Sequence, residues 1–362
     1  MRKYYLDNVR WMTVVTVVIY HVFYMYNAEG LQGVVGKITD LDVPYHDVIQ
    51  YIVYPWIMIV LFMVSGICSR LYLDNHSHSE FIKSRTAKLL VPSTVGLFVF
   101  HFIQGYLNMR LGGALENAPR FAELPMILKY LLAVVSGTGV LWYIQLLWLF
   151  SLLLVLVRKI DKDRLYEKCK GLSIAVIIAM VIPAYLAAQV LNTPKVVVYR
   201  FGLYFFIFLF GYFVLSHDKA IEEIKKYFPL MLVISLALGA SFCVRYFGEN
   251  YAISPVYTSP LFVGYGYFAS LAIIGGMAKY MDRQSSFSKW MSDRSFGLYV
   301  FHYLGISVVA VYIAKPGYLP ALPVYLLSAV AGFGLAYLLN AVMTRLPFFK
   351  WAVLGIKEKK DV

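Results

Sequence analysis

Ten separate stretches of about twenty predominantly apolar residues run through this chain, near 9–28, 48–70, 89–109, 139–157, 172–191, 198–216, 228–245, 257–278, 295–314 and 322–344. No soluble core of this length could bury them: of 362 residues 60% are hydrophobic and only 15% charged, and mean hydropathy is +0.67. The bilayer has to serve as solvent. The expected fold is an all-α, polytopic membrane protein of about ten transmembrane helices.

The formal charge of +13 raises the question of nucleic acid, which the distribution of charge answers. With the N-terminus inside, the cytoplasmic segments hold 25 of the 33 Lys and Arg residues. The outer ones hold Lys37, Arg110, Arg120, Lys129, Lys195, Arg200, Arg245 and Lys315. This bias predicts both termini in the cytoplasm, and it makes the excess charge a matter of topology. No nucleic-acid partner is expected.

The start, Arg2-Lys3 before an apolar run, has the outline of a signal peptide. Asp7, Arg10 and His21 interrupt it and no small-x-small cleavage site follows, so the first segment is expected to stay as a helix. Glu29, Asp40, Asp42 and Asp47 make the first outer loop acidic. Cys68, Cys169 and Cys243 lack metal-ligand spacing, and no metal site is expected. No connection is long enough for a second domain, so residues 1–362 read as one membrane domain, with a short interfacial or re-entrant helix over Leu124 to Ser136.

Ionisable groups at membrane depth are costly and mark candidate functional positions. Here they are His21, His101 and His302. Arg10 precedes His21 by eleven residues, close to three full helical turns, so the two share a helix face roughly 16 Å apart. Asp7, one turn earlier, can pair with Arg10. A histidine at this depth is either a helix-packing donor or a general base, since imidazole ionises near working pH.

The residues around this pair, Tyr5-Leu6-Asp7-Asn8-Val9-Arg10-Trp11 leading to Tyr20-His21-Val22-Phe23, resemble the opening of the bacterial acyltransferase type 3 family of integral-membrane O-acyltransferases. Its first helix carries an arginine or lysine and a histidine with ten residues between them. Further resemblances follow in order along the chain. Phe62-Met63-Val64-Ser65-Gly66 is similar to a Phe-x-x-Ser-Gly signature, and Lys83, Arg85 and Lys88 stand in a basic segment before Pro92. Lys88 occupies a position where arginine is usual, which alters the geometry of phosphate binding there. Leu141-Trp142-Tyr143-Ile144-Gln145 resembles an aromatic helix start, without the histidine often seen just before it. Arg200 precedes Phe208 to Gly211 as a basic residue before a Phe-x-x-Gly pattern, and Ser295-Phe296-Gly297-Leu298-Tyr299-Val300-Phe301-His302 resembles a Ser-x-x-x-Tyr-x-x-His stretch.

The resemblance implies transfer of an acyl group, acetyl or succinyl, from cytoplasmic acyl-CoA to a hydroxyl of a glycan or other acceptor outside, in the cytoplasmic membrane of a bacterium. It implies no tightly bound cofactor. His21 and Arg10 would be catalytic, and Arg85, Lys88 and Lys83 would hold the donor's phosphates, which cationic side chains favour. Ser65, Trp142, Tyr143, Arg200, Tyr299 and His302 would line the substrate pocket. Whether His21 acts as base or as an acylated nucleophile stays open. The competing reading is a transporter or flippase for an anionic or glycolipid substrate. Against it stand the lack of an embedded acid of the kind ion-coupled carriers use and the lack of an internal repeat.

Overall fold

The computed structural model describes residues 2–28, 34–37, 47–112, 121, 123–193 and 198–356, and most of the acidic stretch 29–47 lies outside them. The described residues are helical, with one isolated bridge between Asn192 and Arg200 and no strand. In chain order the main helices are α1 (Tyr4–Met25), α2 (Val48–Leu73), α3 (His78–Leu111), α4 (Met126–Ser136), α5 (Gly139–Asp161), α6 (Ile174–Ala187) and α7 (Phe201–Leu215). They are followed by α8 (Asp218–Lys226), α9 (Phe228–Tyr246), α10 (Pro260–Tyr280), α11 (Ser286–Ala314), α12 (Ala321–Met343) and α13 (Pro347–Leu354).

Among the described residues seven helices, α2, α3, α5, α9, α10, α11 and α12, are long and apolar enough to cross a membrane. The pair α7 and α8, bent by 99° at their junction, would make an eighth. Two of the ten expected stretches fall on other kinds of helix. α1 carries Asp7 and Arg10 in its first two turns, and α6 is short. The short helix expected before residue 137 is α4, whose Met126, Ile127, Leu132 and Val135 are exposed apolar side chains.

The chain divides into two compact units, one of residues 1–16, 51–83 and 146–292, the other of 17–50, 84–145 and 293–362. In the first unit the backbones of α2 and α7 touch. A Cβ at Gly66 would overlap the Phe208 carbonyl oxygen, and one at Gly211 would overlap the Met63 carbonyl oxygen. The two glycines of the Phe-x-x-Ser-Gly and Phe-x-x-Gly patterns thus admit one helix to the other, as small residues do at membrane helix interfaces. Phe62 packs beside this contact, with ring centroids 4.8 Å from Tyr204 and 5.5 Å from Phe150.

At one end of the same unit Asp163 ties two arginines. It accepts from Arg70 at 2.9 Å and from Arg158 at 3.0 Å, while Arg70 also pairs with Asp74 at 2.8 Å and lies 3.6 Å from the Tyr166 ring centroid. His217 stacks on the same tyrosine, and burial pushes its imidazole below the ordinary histidine value. Asp163 sits in the left-handed region at φ 61°, which asparagine tolerates, so Asp163→Asn removes charge without straining the turn. The variant should lose about 1–3 kcal/mol of stability, read as a lower thermal unfolding midpoint in detergent.

In the second unit α3 is interrupted by two wide π-turns, Thr86–Leu90 and Leu97–His101. Pro92 follows the first and offers no N–H to the carbonyl one turn earlier, so the preceding turn opens and Val91 reaches back to Thr86. The end of α13 braces it: Gly355 lies against the backbone of Ala87 and Lys88. α3 is joined to α4 by Asn108, which donates to the Ser136 carbonyl at 2.7 Å.

Candidate active site

Two histidines 281 residues apart meet in the second unit. His21 of α1 and His302 of α11 face each other with Nδ1 of the former 3.2 Å from Nε2 of the latter. Their hydrogen-bond partners assign the protons. A carbonyl can only accept, and His302 Nδ1 lies 2.8 Å from the Tyr299 carbonyl and 3.2 Å from that of Leu298, so His302 carries its proton on Nδ1 and offers a lone pair at Nε2. His21 Nδ1 lies 2.8 Å from the Val17 carbonyl and therefore also carries the proton, shared between Val17 and His302. What remains on His21 is the Nε2 lone pair.

This arrangement leaves His21 ready to take a proton at Nε2. The imidazolium so formed would be stabilised by its Nδ1–H pointing at the His302 lone pair and the Val17 carbonyl. His302 is fully buried, whereas His21 is only partly covered. Tyrosines enclose the pair: ring centroids of Tyr20, Tyr24 and Tyr303 lie 5.1, 5.8 and 5.1 Å from that of His21. Sequence reading had no basis for Tyr20 and Tyr24 beyond their position next to His21.

The second unit also holds Trp142, Tyr143 and Tyr299. The Tyr299 hydroxyl donates to the Val140 carbonyl, and Tyr143 meets Tyr299 edge-on at 6.0 Å, which sets the start of α5 against the Ser-x-x-x-Tyr-x-x-His turn of α11. Gln145 of α5 donates to the Ser93 carbonyl of α3 at 3.1 Å. Arg85 and Lys88 lie at the first π-turn, Arg85 partly buried and Lys88 exposed. His101 ends the second π-turn, and its Nε2 is buried without a hydrogen-bond partner. A polar chain that sequence reading missed lies nearby on α3, where Gln104 donates to Asn108 at 2.8 Å and to Ser307 of α11 at 2.9 Å.

The other expected site residues belong to the first unit. Arg10 is partly exposed and 3.7 Å from Asp7, which bonds Arg2 more closely at 2.8 Å. Lys83 is exposed on α3. Ser65 is buried beside the Gly66 helix contact, and its carbonyl accepts from Ser69. Arg200, which could have snorkelled to an interface, is instead 1% exposed. Its guanidinium donates to the Tyr54 hydroxyl at 2.6 Å and lies 4.2 Å from the Tyr257 ring centroid and 5.2 Å from that of Phe262.

This is a multi-pass helical membrane protein that holds a hydrogen-bonded histidine pair between two of its helices. The acyltransferase domain family matches residues 3–341, nearly the whole chain, and the chain belongs to that family, the acyltransferase type 3 group its motifs resemble. It is therefore a membrane acyltransferase, transferring groups other than aminoacyl groups. No curated protein and no solved structure matches it.

Proposed function

We propose that this acyltransferase moves an acetyl or succinyl group from cytoplasmic acyl-CoA to a hydroxyl of a glycan on the far side of the bacterial cytoplasmic membrane, with about ten spans and both termini inside. The observation that carries the reading is the His21–His302 pair, which frees one ring nitrogen of His21 as an acceptor. His21 Nε2 takes the proton of the acceptor hydroxyl as its oxygen attacks the thioester carbonyl. The carbon–sulfur bond breaks, the coenzyme A thiolate leaves and recovers that proton from the imidazolium, and an ester remains on the acceptor. His302 holds the His21 ring in the productive tautomer.

Arg85 and Lys88, beside the π-turn of α3, would bind the donor's phosphates. Tyr143, Trp142 and Tyr299, which lie in the same unit as the histidine pair, would line the acceptor pocket. Arg85→Ala should raise the KM for acyl-CoA about tenfold with little change in kcat, and Arg85→Lys should recover part of the loss. Steady-state kinetics in membranes checks this.

The reading as a whole is tested with radiolabelled acetyl-CoA and succinyl-CoA supplied to inside-out and right-side-out vesicles that carry envelope glycans. Label should enter glycan when the donor meets the cytoplasmic face. Incorporation from the outer face alone would overturn the direction, and none from either donor, with the protein present, would overturn the donor class.

A further inference from the structure

The first unit contains an open groove of about 450 Å³ lined by α1, α9 and α10, with Trp56 of α2 also in its lining. That volume is in the range of ligand sites, roughly 300–1,000 Å³. Along α10 its lining runs from Tyr265 to Tyr280, roughly 22 Å at about 1.5 Å per residue. One leaflet contributes about half of a hydrocarbon core roughly 30 Å thick, so the groove is long enough for one lipid chain.

The chemistry of the lining selects a hydrocarbon. Thr16 donates to the Met12 carbonyl at 3.0 Å, Ser235 to Leu232 at 2.8 Å, and both Trp56 and Tyr265 to Ile52 at 2.7 Å. These donors are already used within the helices, so a polar ligand would find little to bind along the groove. One end differs. Lys226 closes α8, two residues before the start of α9, and Lys279 sits beside the lining residue Tyr280 at the end of α10. Both are exposed, and neither makes an ion pair among the described residues. Arg10 follows the lining residue Val9 at the same end. Asp7 is engaged by Arg2 and Arg10, Asp282 by the Tyr5 amide and Glu222 by Lys225, while Glu223 lies one turn before Lys226 on α8.

We infer that this groove binds one anionic phospholipid, a single acyl chain lying along α10 and the phosphate held by Lys226 and Lys279. Neither histidine of the pair is among the groove's lining residues, and the test does not depend on transfer activity.

Purified protein is reconstituted in vesicles of equal phosphatidylglycerol and phosphatidylcholine, released into mild detergent and weighed by native mass spectrometry. One phosphatidylglycerol per chain should be retained in preference to phosphatidylcholine. Retention should fall about tenfold or more in the Lys226→Glu, Lys279→Glu double variant. Leu236→Trp, at a groove-lining position 64% exposed and therefore tolerant of bulk, should lower it similarly by blocking the chain. Equal retention of the two lipids, or unchanged retention in both variants, would overturn the inference. Displacement of the lipid by an equal concentration of palmitoyl-CoA would also overturn it, because the groove would then belong to the donor.

Discussion

Replacing His21 with alanine should lower acyl transfer by roughly 10²–10⁴-fold without reducing the yield of folded protein. The first half of this expectation follows from the proposed role of its Nε2 as the only proton acceptor the pair leaves available. The second half follows from partial exposure: a smaller side chain there leaves no sealed cavity. His302→Ala should cost less, about tenfold to a hundredfold, because it removes the acceptor that steadies the imidazolium but spares the acceptor of the substrate proton. His302→Gln, whose amide oxygen can take the His21 Nδ1–H, should recover part of that loss. The double variant should be little worse than His21→Ala alone, since groups that act as a unit are not additive. Transfer rates measured in membranes at matched expression decide the matter, and full activity in His21→Ala would remove the residue from the chemistry. A mass increase on the α1 peptide after rapid quenching with donor alone would instead make His21 the nucleophile.

The second large effect is expected on folding. Gly66→Leu or Gly211→Leu should cost about 3 kcal/mol or more, because the added atoms meet a carbonyl of the opposing backbone rather than a side chain that can swing away. Even Gly66→Ala should destabilise, although alanine is the better helix former by about 1 kcal/mol. Gly334 of α12 provides the control. A Cβ there has open space, so Gly334→Ala should be neutral or stabilising. Size-exclusion profiles and thermal unfolding in detergent separate these outcomes, and equal behaviour of the Gly66 and Gly334 alanine variants would show that the α2–α7 contact is not critical.

These two regions differ in how far they could be read beforehand. The step from Arg10 to His21 is legible because a helix repeats every 3.6 residues, so spacing alone places both on one face. The partner of His21 is not legible in that way. His302 lies 281 residues away, and a histidine in an aromatic segment reads equally well as a packing residue. The tautomer that leaves His21 Nε2 with its lone pair depends on the carbonyls of Val17 and Tyr299, which only a folded backbone presents. The Gly66 and Gly211 patterns were visible as separate signatures, but that they face one another is a property of helix packing. Arg200 offers the opposite lesson. A charged residue at a helix start suits an interface, yet Tyr54, Tyr257 and Phe262 bury it, because aromatic faces and a tyrosine hydroxyl compensate a guanidinium that has left water.

Sequence by itself determined that this chain is helical, lives in a bilayer and belongs among acyltransferases, because apolar length, composition and ordered local motifs are properties of contiguous residues. Tertiary structure alone decided which histidine meets His21, which glycines admit α7 to α2, and which residues of α1, α9 and α10 line an apolar groove. Each of these joins side chains far apart in the chain, and the energies that bring them together, close packing and hydrogen bonding in a medium without water, come into being only when the helices associate.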